Sequence, residues 1–461
     1  MSDDRISPIR LCEWGHIAVH GLTLEERRSV AAAVDAWQGL NKLPVAPLSF
    51  GGTDGARLTA KQYVGVVEVN GIAIEIYPKL DAAFLQANDR QSASTSAGIS
   101  TVMDNLLWML QVAEHRLLAE AQTAHLGETT TSFIDLFAYL LARNLLPELQ
   151  RGVSHSYVTF EDDLKMVRGR VNVVDQVTRK FNRFDRMSCT WDEFTPNTAV
   201  NRLFKCACRF LSERVGYPEA ARLLIDCEGL LGEVDSVSPT TALSDVWNLR
   251  FDRSMVRFRT AFDLAKRLVA GMGHNLGVGN ANTFVFLLDM NKVFESYVHA
   301  VLEARFKTRV EKQKIVGRLF DIDPGGVRQF ADYYWRDDGS IWIGDAKYKH
   351  LAGDQGPALR FVELEEEEGQ PGEGVSLASQ VLSADDIRQL TVYAELVRLN
   401  GKMEQPPNLL LLYPFVGDAT ECVANKAPAW NGSSFWLMPV QVKPQDFVGD
   451  AIQWPGDETG T

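Results

Sequence analysis

Three charged residues in the last third of the chain have the types and spacing of a metal-dependent hydrolytic site. Asp332 interrupts the apolar run VRQFADYYW, and Asp345 and Lys347 close the next run, IWIGDAKYK. The turn-forming residues 336–340 lie between the runs, which predicts a hairpin. Strand residues two apart share a face, so Asp345 and Lys347 would project to one side with Asp332 alongside. Two carboxylates suit Mg²⁺, and a neighbouring lysine can orient or deprotonate an attacking water.

Three further side chains could complete this site. Glu295, on the predicted helix DMNKVFESYVHAVLEARF, could be another metal ligand. Gln389 and Tyr393 lie four apart on the predicted helix ADDIRQLTVYAELVRLN, so they would face the same way and could position the lysine or a phosphate. Taken singly, a strand aspartate is more typical of a sheet edge, Glu295 of a solvated helix flank, and the last two of surface and core. Their order along the chain favours a nuclease site.

The elements that would carry these residues follow a helix–strand–strand–strand–helix–strand order. The three strands are predicted at RLFDI, VRQFADYYW and IWIGDAKYK, and the last strand at NLLLLYPF. An acidic, glycine-rich segment at residues 363–375 is interpreted as a solvated loop. This order is typical of an α/β layout around a mixed sheet.

Two other sections precede this one. HIAVHGL, QYVGVVEVN and IAIEIYPKL alternate apolar and polar residues, and Asn70-Gly71 between the last two predicts a hairpin. The serine-rich residues 88–100 indicate a linker. Helical periodicity begins at Val102, and FTPNTAVNRLFK predicts a helix with Thr195 as N-cap and Pro196 in its first position.

The predicted fold is therefore a multidomain α+β protein. Residues 1–100 form a small β-rich domain, residues 101–270 a helical and hairpin domain, and residues 271–461 an α/β domain with a mixed sheet that carries the nuclease site.

Composition restricts how such a protein would work. The formal net charge of −13 is unusual for a protein that grips DNA over a wide surface, so we expect a partner to supply much of that grip. The six cysteines are not at zinc-site spacing and are interpreted as reduced thiols. The sequence has neither a membrane-spanning apolar run nor a signal-peptide pattern, so a cytoplasmic protein without membrane contact is expected.

Several segments resemble a known family, in that family's order. NLLWMLQVA, DLFAYLLARNLLPELQRGVSHSYV, MVRGRVNVVDQV, RFDRMSCTWDEFTPNTAVNRLFK and DAKYK are similar to the McrC subunits of McrBC-type (type IV) restriction systems. The site residues resemble the PD-(D/E)xK nuclease superfamily, although the proline of that motif is Ala331 here. The resemblance runs from about residue 102 to Pro414, and GVVEVNGIAIEIYPKL is similar to an extra N-terminal domain of longer members.

This resemblance implies an endonuclease subunit that cleaves DNA with Mg²⁺, for which Mn²⁺ can substitute. Asp332, Asp345 and Glu295 would hold the metal, while Lys347, Gln389 and Tyr393 would act beside it. It also implies a partner, a McrB-like AAA+ GTPase hexamer that recognises modified DNA and into which the non-nuclease part inserts. The chain has no GxxxxGK[ST] phosphate loop of its own, which fits a subunit that borrows its motor.

Two alternatives to this function stay open. The chain could be a non-catalytic adaptor that only activates an AAA+ motor, although the Asp/Asp-x-Lys set argues against that. It could also be a stand-alone DNA-repair nuclease, although the McrC-like upstream segments argue against that.

An arm-like stretch at residues 154–174 is the predicted contact to the motor. Arg168 and Arg170 flank Gly169 there and could reach a nucleotide site, because arginine makes bidentate contacts to phosphate or carboxylate. The alternative is that both arginines pair with carboxylates of residues 161–163 across a hairpin. For the section as a whole, residues 102–270, docking onto the partner is predicted.

Overall fold

The computed structural model describes residues 8–52, 55–79, 92–113, 132–182, 185–253, 255–272, 283–307, 309–318, 327–337, 339–348, 384–401, 406–416, 424–428, 432–445 and 448–452. The helices are α1 (Leu24–Asn41), α2 (Ser92–Ala113), α3 (Phe133–Gln150), α4 (Val173–Thr178), α5 (Ala199–Ser212), α6 (Pro218–Leu230), α7 (Pro239–Val246), α8 (Arg259–Ala270), α9 (Met290–Phe306) and α10 (Ala384–Gly401). The strands are β1 (Ile9–Cys12), β2 (His16–Ala18), β3 (Leu48–Gly51), β4 (Arg57–Ala60), β5 (Tyr63–Val69), β6 (Ile72–Tyr77), β7 (Ser156–Leu164), β8 (Arg170–Val171), β9 (Met187–Thr195), β10 (Thr283–Asp289), β11 (Glu311–Arg318), β12 (Arg328–Asp337), β13 (Ser340–Ala346), β14 (Asn408–Phe415), β15 (Asn425–Pro428) and β16 (Ser434–Gln441). Together they make a mixed α/β fold with several sheets.

The N-terminal sheet has the strand order β1-β6-β5-β10. The hairpin predicted at Asn70-Gly71 is confirmed, and both residues have the positive φ values that a tight hairpin turn requires, 53° and 85°. The α1 helix, which the sequence analysis missed among the strands, begins at a capping box between Thr23 and Glu26 and packs its apolar side on this sheet.

The fourth strand of this sheet comes from far along the chain. All of β10 pairs antiparallel with β5, from Thr283 opposite Val69 to Asp289 opposite Tyr63. This strand lies inside the range predicted for the third domain, yet it belongs to the first sheet. The chain passes from β10 directly into α9, whose N-cap is Asp289.

The C-terminal sheet is mixed, with the order β11-β12-β13-β14-β16-β15. Among the described residues, the elements follow the predicted helix–strand–strand–strand–helix–strand order. The first strand, β11, ends at Arg318 and so precedes the predicted RLFDI, whose other residues lie outside the described ones. The α10 helix packs on one face of the sheet, while α9 packs on the other. The acidic segment 363–375 also lies outside the described residues.

Two boundary predictions were wrong. Residues 92–100, predicted as part of a linker, begin α2, because packing of residues such as Ile99, Val102 and Met103 outweighs the weak helix propensity of serine. The helix predicted to start at Thr195 and Pro196 begins at Ala199, with Thr198 as its N-cap. Thr195 instead ends β9, where it pairs with Ser156 of β7.

The arm sheet, β7, β9 and β8, has almost no core beneath it. Most of its residues are exposed or half-buried, and α4 beside it buries none. The Arg168 side chain lies 5.0 Å from the centre of the Trp191 ring and 3.5 Å from Glu193, which is not one of the three predicted carboxylate partners. No helix among the described parts of the chain is both long and apolar enough to span a membrane.

We predict that Gly65→Ala destabilises the protein, because β10 passes too close to Gly65 for a side chain. A Cβ on Gly65 would lie 2.1 Å from the carbonyl oxygen of Phe286, and the residue has a φ of +143°. The free energy of unfolding should fall by about 1–3 kcal/mol, measured by denaturant titration. Gly39→Ala is the matched control, since nothing lies within 4 Å of a Cβ there. Equal stability of the two variants would contradict this close packing of β10 on β5.

Candidate active site

Strand β13 places Asp345 and Lys347 together. Asp345 pairs with Leu411 of the parallel strand β14, and the Lys347 N–H donates to the Leu412 carbonyl oxygen at 2.9 Å just beyond the strand. Asp345 is 1% exposed and lies under α10, on the face that also buries Ile343. Lys347 Nζ is 2.8 Å from Asp345 Oδ2, so the predicted shared side of the strand holds a direct ion pair.

Asp332 joins them from the neighbouring strand. The ladder between β12 and β13 runs to Tyr333 opposite Gly344, so Asp332 comes next, opposite Asp345. Asp332 Oδ2 accepts a hydrogen bond from the Ala346 N–H at 3.2 Å, and Oδ1 accepts one from Gln313 Nε2 at 3.0 Å. The hairpin therefore brings the two aspartates and the lysine to one end of the sheet.

The charges of these groups are strongly coupled. Burial, and then the nearby Asp332 carboxylate, raise the pKa of Asp345 to about 7, and Lys347 offsets only part of this. Burial by itself lowers the pKa of Lys347, but Asp345 and Asp332 outweigh burial and raise it. The lysine is thus held as a cation beside carboxylates whose negative charge is not fully balanced.

Glu295 approaches the site from α9. The Tyr333 hydroxyl donates to the Glu295 carbonyl oxygen at 2.7 Å, which fixes this turn of the helix against β12. Burial, and then Asp332, raise the pKa of the Glu295 carboxyl, so the two carboxylates repel each other electrostatically. Lys312 lies beside them, with its Nζ 3.3 Å from Ser296 Oγ, and partial burial lowers its pKa.

The predicted pair on α10 lies over the same end of the sheet. Gln389 Nε2 donates to the Tyr393 hydroxyl at 2.5 Å, so the two side chains do share a face and bond to each other. Burial raises the pKa of Tyr393, with further contributions from Asp345 and Asp332. Tyr393 is therefore close enough to Asp345 and Asp332 to interact with them electrostatically.

The donor set fits a hard divalent cation that keeps several waters. Among the described residues, no three His, Cys, Asp or Glu side chains converge into a complete metal-binding group. Asp345 Oδ2 is buried and has no hydrogen bond of regular geometry within the described structure, apart from its ion pair. Mg²⁺ commonly binds through one or two carboxylates together with substrate phosphate, so two carboxylates such as Asp332 and Asp345 are enough in number to hold such an ion. The place of Glu295 in the metal shell stays a prediction.

The sequence analysis missed three residues of this site. Lys312 and Gln313 lie on β11, upstream of the strand predicted at RLFDI. Gln313 has a φ of 48°, which is unusual within a strand, and its side chain bonds Asp332. Asp386, buried in the first turn of α10, also raises the pKa of Lys347 after the closer carboxylates. An acidic residue at a helix start is too common to have indicated this role.

Comparison with known proteins gave one family and two structures. A family model described as McrBC 5-methylcytosine restriction system component matches residues 58–363. A chain in the refined half-complex from the tetradecameric assembly of Thermococcus gammatolerans McrB AAA+ hexamers with bound McrC is 17% identical, with a TM-score of 0.61 over 96% of this chain and 97% of that chain. A chain in the cryo-EM structure of the Thermococcus gammatolerans McrBC complex is 19% identical, with a TM-score of 0.44 over 66% of this chain and 90% of that chain. No curated protein matches the sequence. At these identities, the first structure shows likeness of fold alone, and the second supports no argument.

We predict that Asp345→Asn changes how stability depends on pH. The folded carboxyl loses its proton near pH 7, whereas an unfolded aspartate does so at about 3.9. Between these values the folded state holds the extra proton, so wild-type stability falls as pH rises, by at most about 1.4 kcal/mol per pH unit for this group. In chelator, the unfolding free energy of the variant minus that of the wild type should therefore increase from about pH 4 to about pH 7.

The matched control for this experiment is Asp337→Asn, at the hairpin end of the strand that carries Asp332. A difference for Asp345→Asn that stays constant over this pH range would contradict the described burial and charge arrangement.

Proposed function

This chain belongs to the family of McrBC 5-methylcytosine restriction system components, and we propose that it is the McrC-type, DNA-cleaving subunit of such a system. The observation that carries the proposal is the meeting of Asp332, Asp345 and Lys347 at one end of a mixed sheet between two helices. Carboxylates beside a lysine are suited to metal-dependent hydrolysis of a phosphodiester.

In this reaction Asp332 and Asp345 would hold Mg²⁺, with Mn²⁺ as a substitute. The bound ion supplies stabilisation of the negative charge that develops on the phosphate. Lys347, held against Asp345 at 2.8 Å, would orient the attacking water. Gln389 and Tyr393 would keep the α10 side of the site in place, and Glu295 would approach from α9.

DNA as the substrate is supported by the charge next to the site. The β11–β12 edge and the turn before it carry cations on a chain whose formal net charge is −13, and the exposed ones include Lys307, Arg309, Lys312, Arg318 and Arg328. Such side chains position a nucleic-acid backbone without reading its sequence. Because this cationic edge is short, we propose that a partner provides most of the hold on DNA.

The arm sheet supports a motor partner. Exposed apolar side chains gather on it and on the adjoining segment, where a monomer would normally expose polar ones; they include Tyr157, Met166, Val174, Val177, Phe181 and Phe194. The similar solved structure contains McrB AAA+ hexamers with bound McrC. We propose that the arm sheet docks this chain onto such a GTP-hydrolysing hexamer and raises its hydrolysis rate.

Two observations weigh against the alternatives. A pure adaptor would gain stability by losing its buried carboxylates, yet Asp345 is 1% exposed beside a second aspartate. A stand-alone repair nuclease is disfavoured because the family match extends over residues 58–363, which include three of the four strands of the N-terminal sheet and the whole arm sheet.

We predict that Asp345→Ala or Lys347→Ala reduces DNA cleavage by at least about a hundredfold, because each removes stabilisation of the transition state. Cleavage of modified plasmid DNA by the chain together with its AAA+ partner, GTP and Mg²⁺ is the measurement. Asp337→Ala is the matched control, since that carboxylate lies at the hairpin end of β12, away from Asp332. Full cleavage by purified Asp345→Ala would refute the site.

The metal requirement is tested in the same assay. Cleavage should stop in excess chelator, return with Mg²⁺ or Mn²⁺, and be suppressed by Ca²⁺, whose looser coordination organises the attack poorly. Cleavage that persists in chelator would refute the metal-dependent mechanism.

We predict that Val177→Ser combined with Phe181→Ser weakens partner activation. These side chains are 65% and 64% exposed, so their loss should disturb binding and not the core. The concentration of chain needed for half-maximal stimulation of partner GTP hydrolysis should rise by about tenfold. Ile225→Ser, on α6 and 65% exposed, is the matched control. An unchanged response would show that the apolar side chains of α4 and the segment after it, beside the arm sheet, are not part of the docking surface.

A further inference from the structure

A residue next to the N-terminal sheet contacts the main chain of Tyr348, the residue that follows Lys347. Lys79, just past the end of β6, donates from Nζ to the Tyr348 carbonyl oxygen at 2.9 Å. The same ammonium lies 4.7 Å from the centre of the Tyr348 ring, a cation–π distance. Tyr348 is 4% exposed and Lys79 is half-buried, so both contacts are partly shielded from water. Lys79 therefore holds the backbone and the ring of one residue at once.

Lys79 is itself held by the edge of the N-terminal sheet. Its N–H donates to Glu13 Oε1 at 3.0 Å, and the Glu13 N–H donates to the Tyr77 carbonyl oxygen at 2.9 Å. Glu13 is 2% exposed, and a carboxylate so buried is rarely kept without a charged neighbour. Burial, and then the Glu13 carboxylate, raise the pKa of Tyr348, so these two side chains also face each other. Two residues of opposite charge, just past the ends of β1 and β6, thus lie beside Tyr348.

The other neighbour of the Tyr348 ring belongs to the second wall of the site. The rings of Tyr348 and Phe294 lie 5.7 Å apart, and Phe294 immediately precedes Glu295 on α9. Tyr348 in turn immediately follows Lys347. One buried ring therefore lies between the segments that carry the lysine and the glutamate of the candidate site.

We propose that Lys79 is a positioning residue for Lys347, and that the N-terminal sheet is in this way a working part of the nuclease site. This inference rests on the proposed function. The Lys347 backbone is held by Leu412 at its own N–H and by Lys79 at the next carbonyl group. Fixing the main chain on both sides keeps the Lys347 ammonium at its 2.8 Å distance from Asp345. Hydrolytic sites require such placement to within about 0.5 Å.

Lys79→Met removes the donor and the charge but keeps most of the apolar stem, so it isolates the positioning contact. The turnover number for DNA cleavage by the full chain with its partner should fall by about tenfold or more, because small misplacements of reacting groups are costly. The KM for DNA and the stimulation of partner hydrolysis should each stay within about twofold, since neither depends on Lys347. Lys79→Arg, which restores a cationic donor, should recover part of the turnover.

Lys61→Met is the matched control. Lys61 also lies over an aromatic ring at the edge of the N-terminal region, 5.6 Å from the centre of Trp14. That substitution should leave the turnover number unchanged. In Lys79→Met, a fall of the turnover number accompanied by a clear change in KM for DNA and a loss of partner stimulation would indicate a general structural role. That result would overturn the proposal.

Hydrogen exchange gives a second measurement that needs no nuclease activity. Mass spectrometry of a peptide spanning residues 341–348 reports on the Lys347 N–H, which is bonded to Leu412. Exchange there should be faster in Lys79→Met than in the wild type and in Lys61→Met. Unchanged exchange together with wild-type turnover would refute the positioning role.

The two measurements separate this inference from the proposed function. If the wild-type chain cleaves no DNA with its partner, GTP and Mg²⁺, the proposed function fails, while exchange still decides whether Lys79 orders this segment. Lys79→Gln, which keeps a polar end but lacks the reach to the carbonyl oxygen, replaces Lys79→Met if the latter does not fold. Wild-type turnover and exchange in Lys79→Gln would equally refute the inference.

Discussion

The pairing of β10 with β5 is the interaction on which the rest of the structure depends. It joins two segments that lie more than two hundred residues apart in the chain, along the whole length of β10. Because Asp289 both ends β10 and caps α9, no loop separates the N-terminal sheet from the helix that carries Glu295. The Met290 N–H also donates to the Gln62 carbonyl oxygen at 3.2 Å. The direction of α9, and hence one wall of the site, is therefore set by a sheet that contributes no predicted metal ligand.

The buried charges of the candidate site lower the stability of the folded state. Carboxylates are rarely buried close together, because each disfavours the ionised form of the other and both lose hydration. Asp345 nevertheless lies beside Asp332, with Lys347 as a partial counter-charge and Glu295 close enough to sense them. Surrounding packing holds this arrangement, with α10 on one face of the sheet and α9 on the other. Such a balance, in which rigid neighbours hold unfavourable charges in place, is expected where charge is needed for chemistry.

Charge and apolar surface are divided unevenly over the molecule. The chain is acidic, and the exposed cations near the site lie on the β11–β12 edge and in the turn before it, while exposed apolar side chains gather on the arm sheet. The first feature suits brief contact with a phosphate backbone, and the second suits a protein partner. This division is what the proposed function requires of a subunit that cuts DNA held by another protein.

The sequence by itself determined the features that depend on neighbouring residues. The period of two along a strand puts Asp345 and Lys347 on one face, and Asn70-Gly71 specifies its hairpin, because both follow from local backbone geometry. The order of elements around the C-terminal sheet and the family could also be predicted from the sequence. Tertiary structure alone decided that Thr195 pairs in a strand and that Gln313 bonds Asp332. It also decided that β10, within the range predicted for the third domain, pairs with the N-terminal sheet. It also brought Lys79 to Tyr348, 269 residues away, because contacts between distant segments depend on how whole sheets and helices pack and leave no periodic trace in the chain.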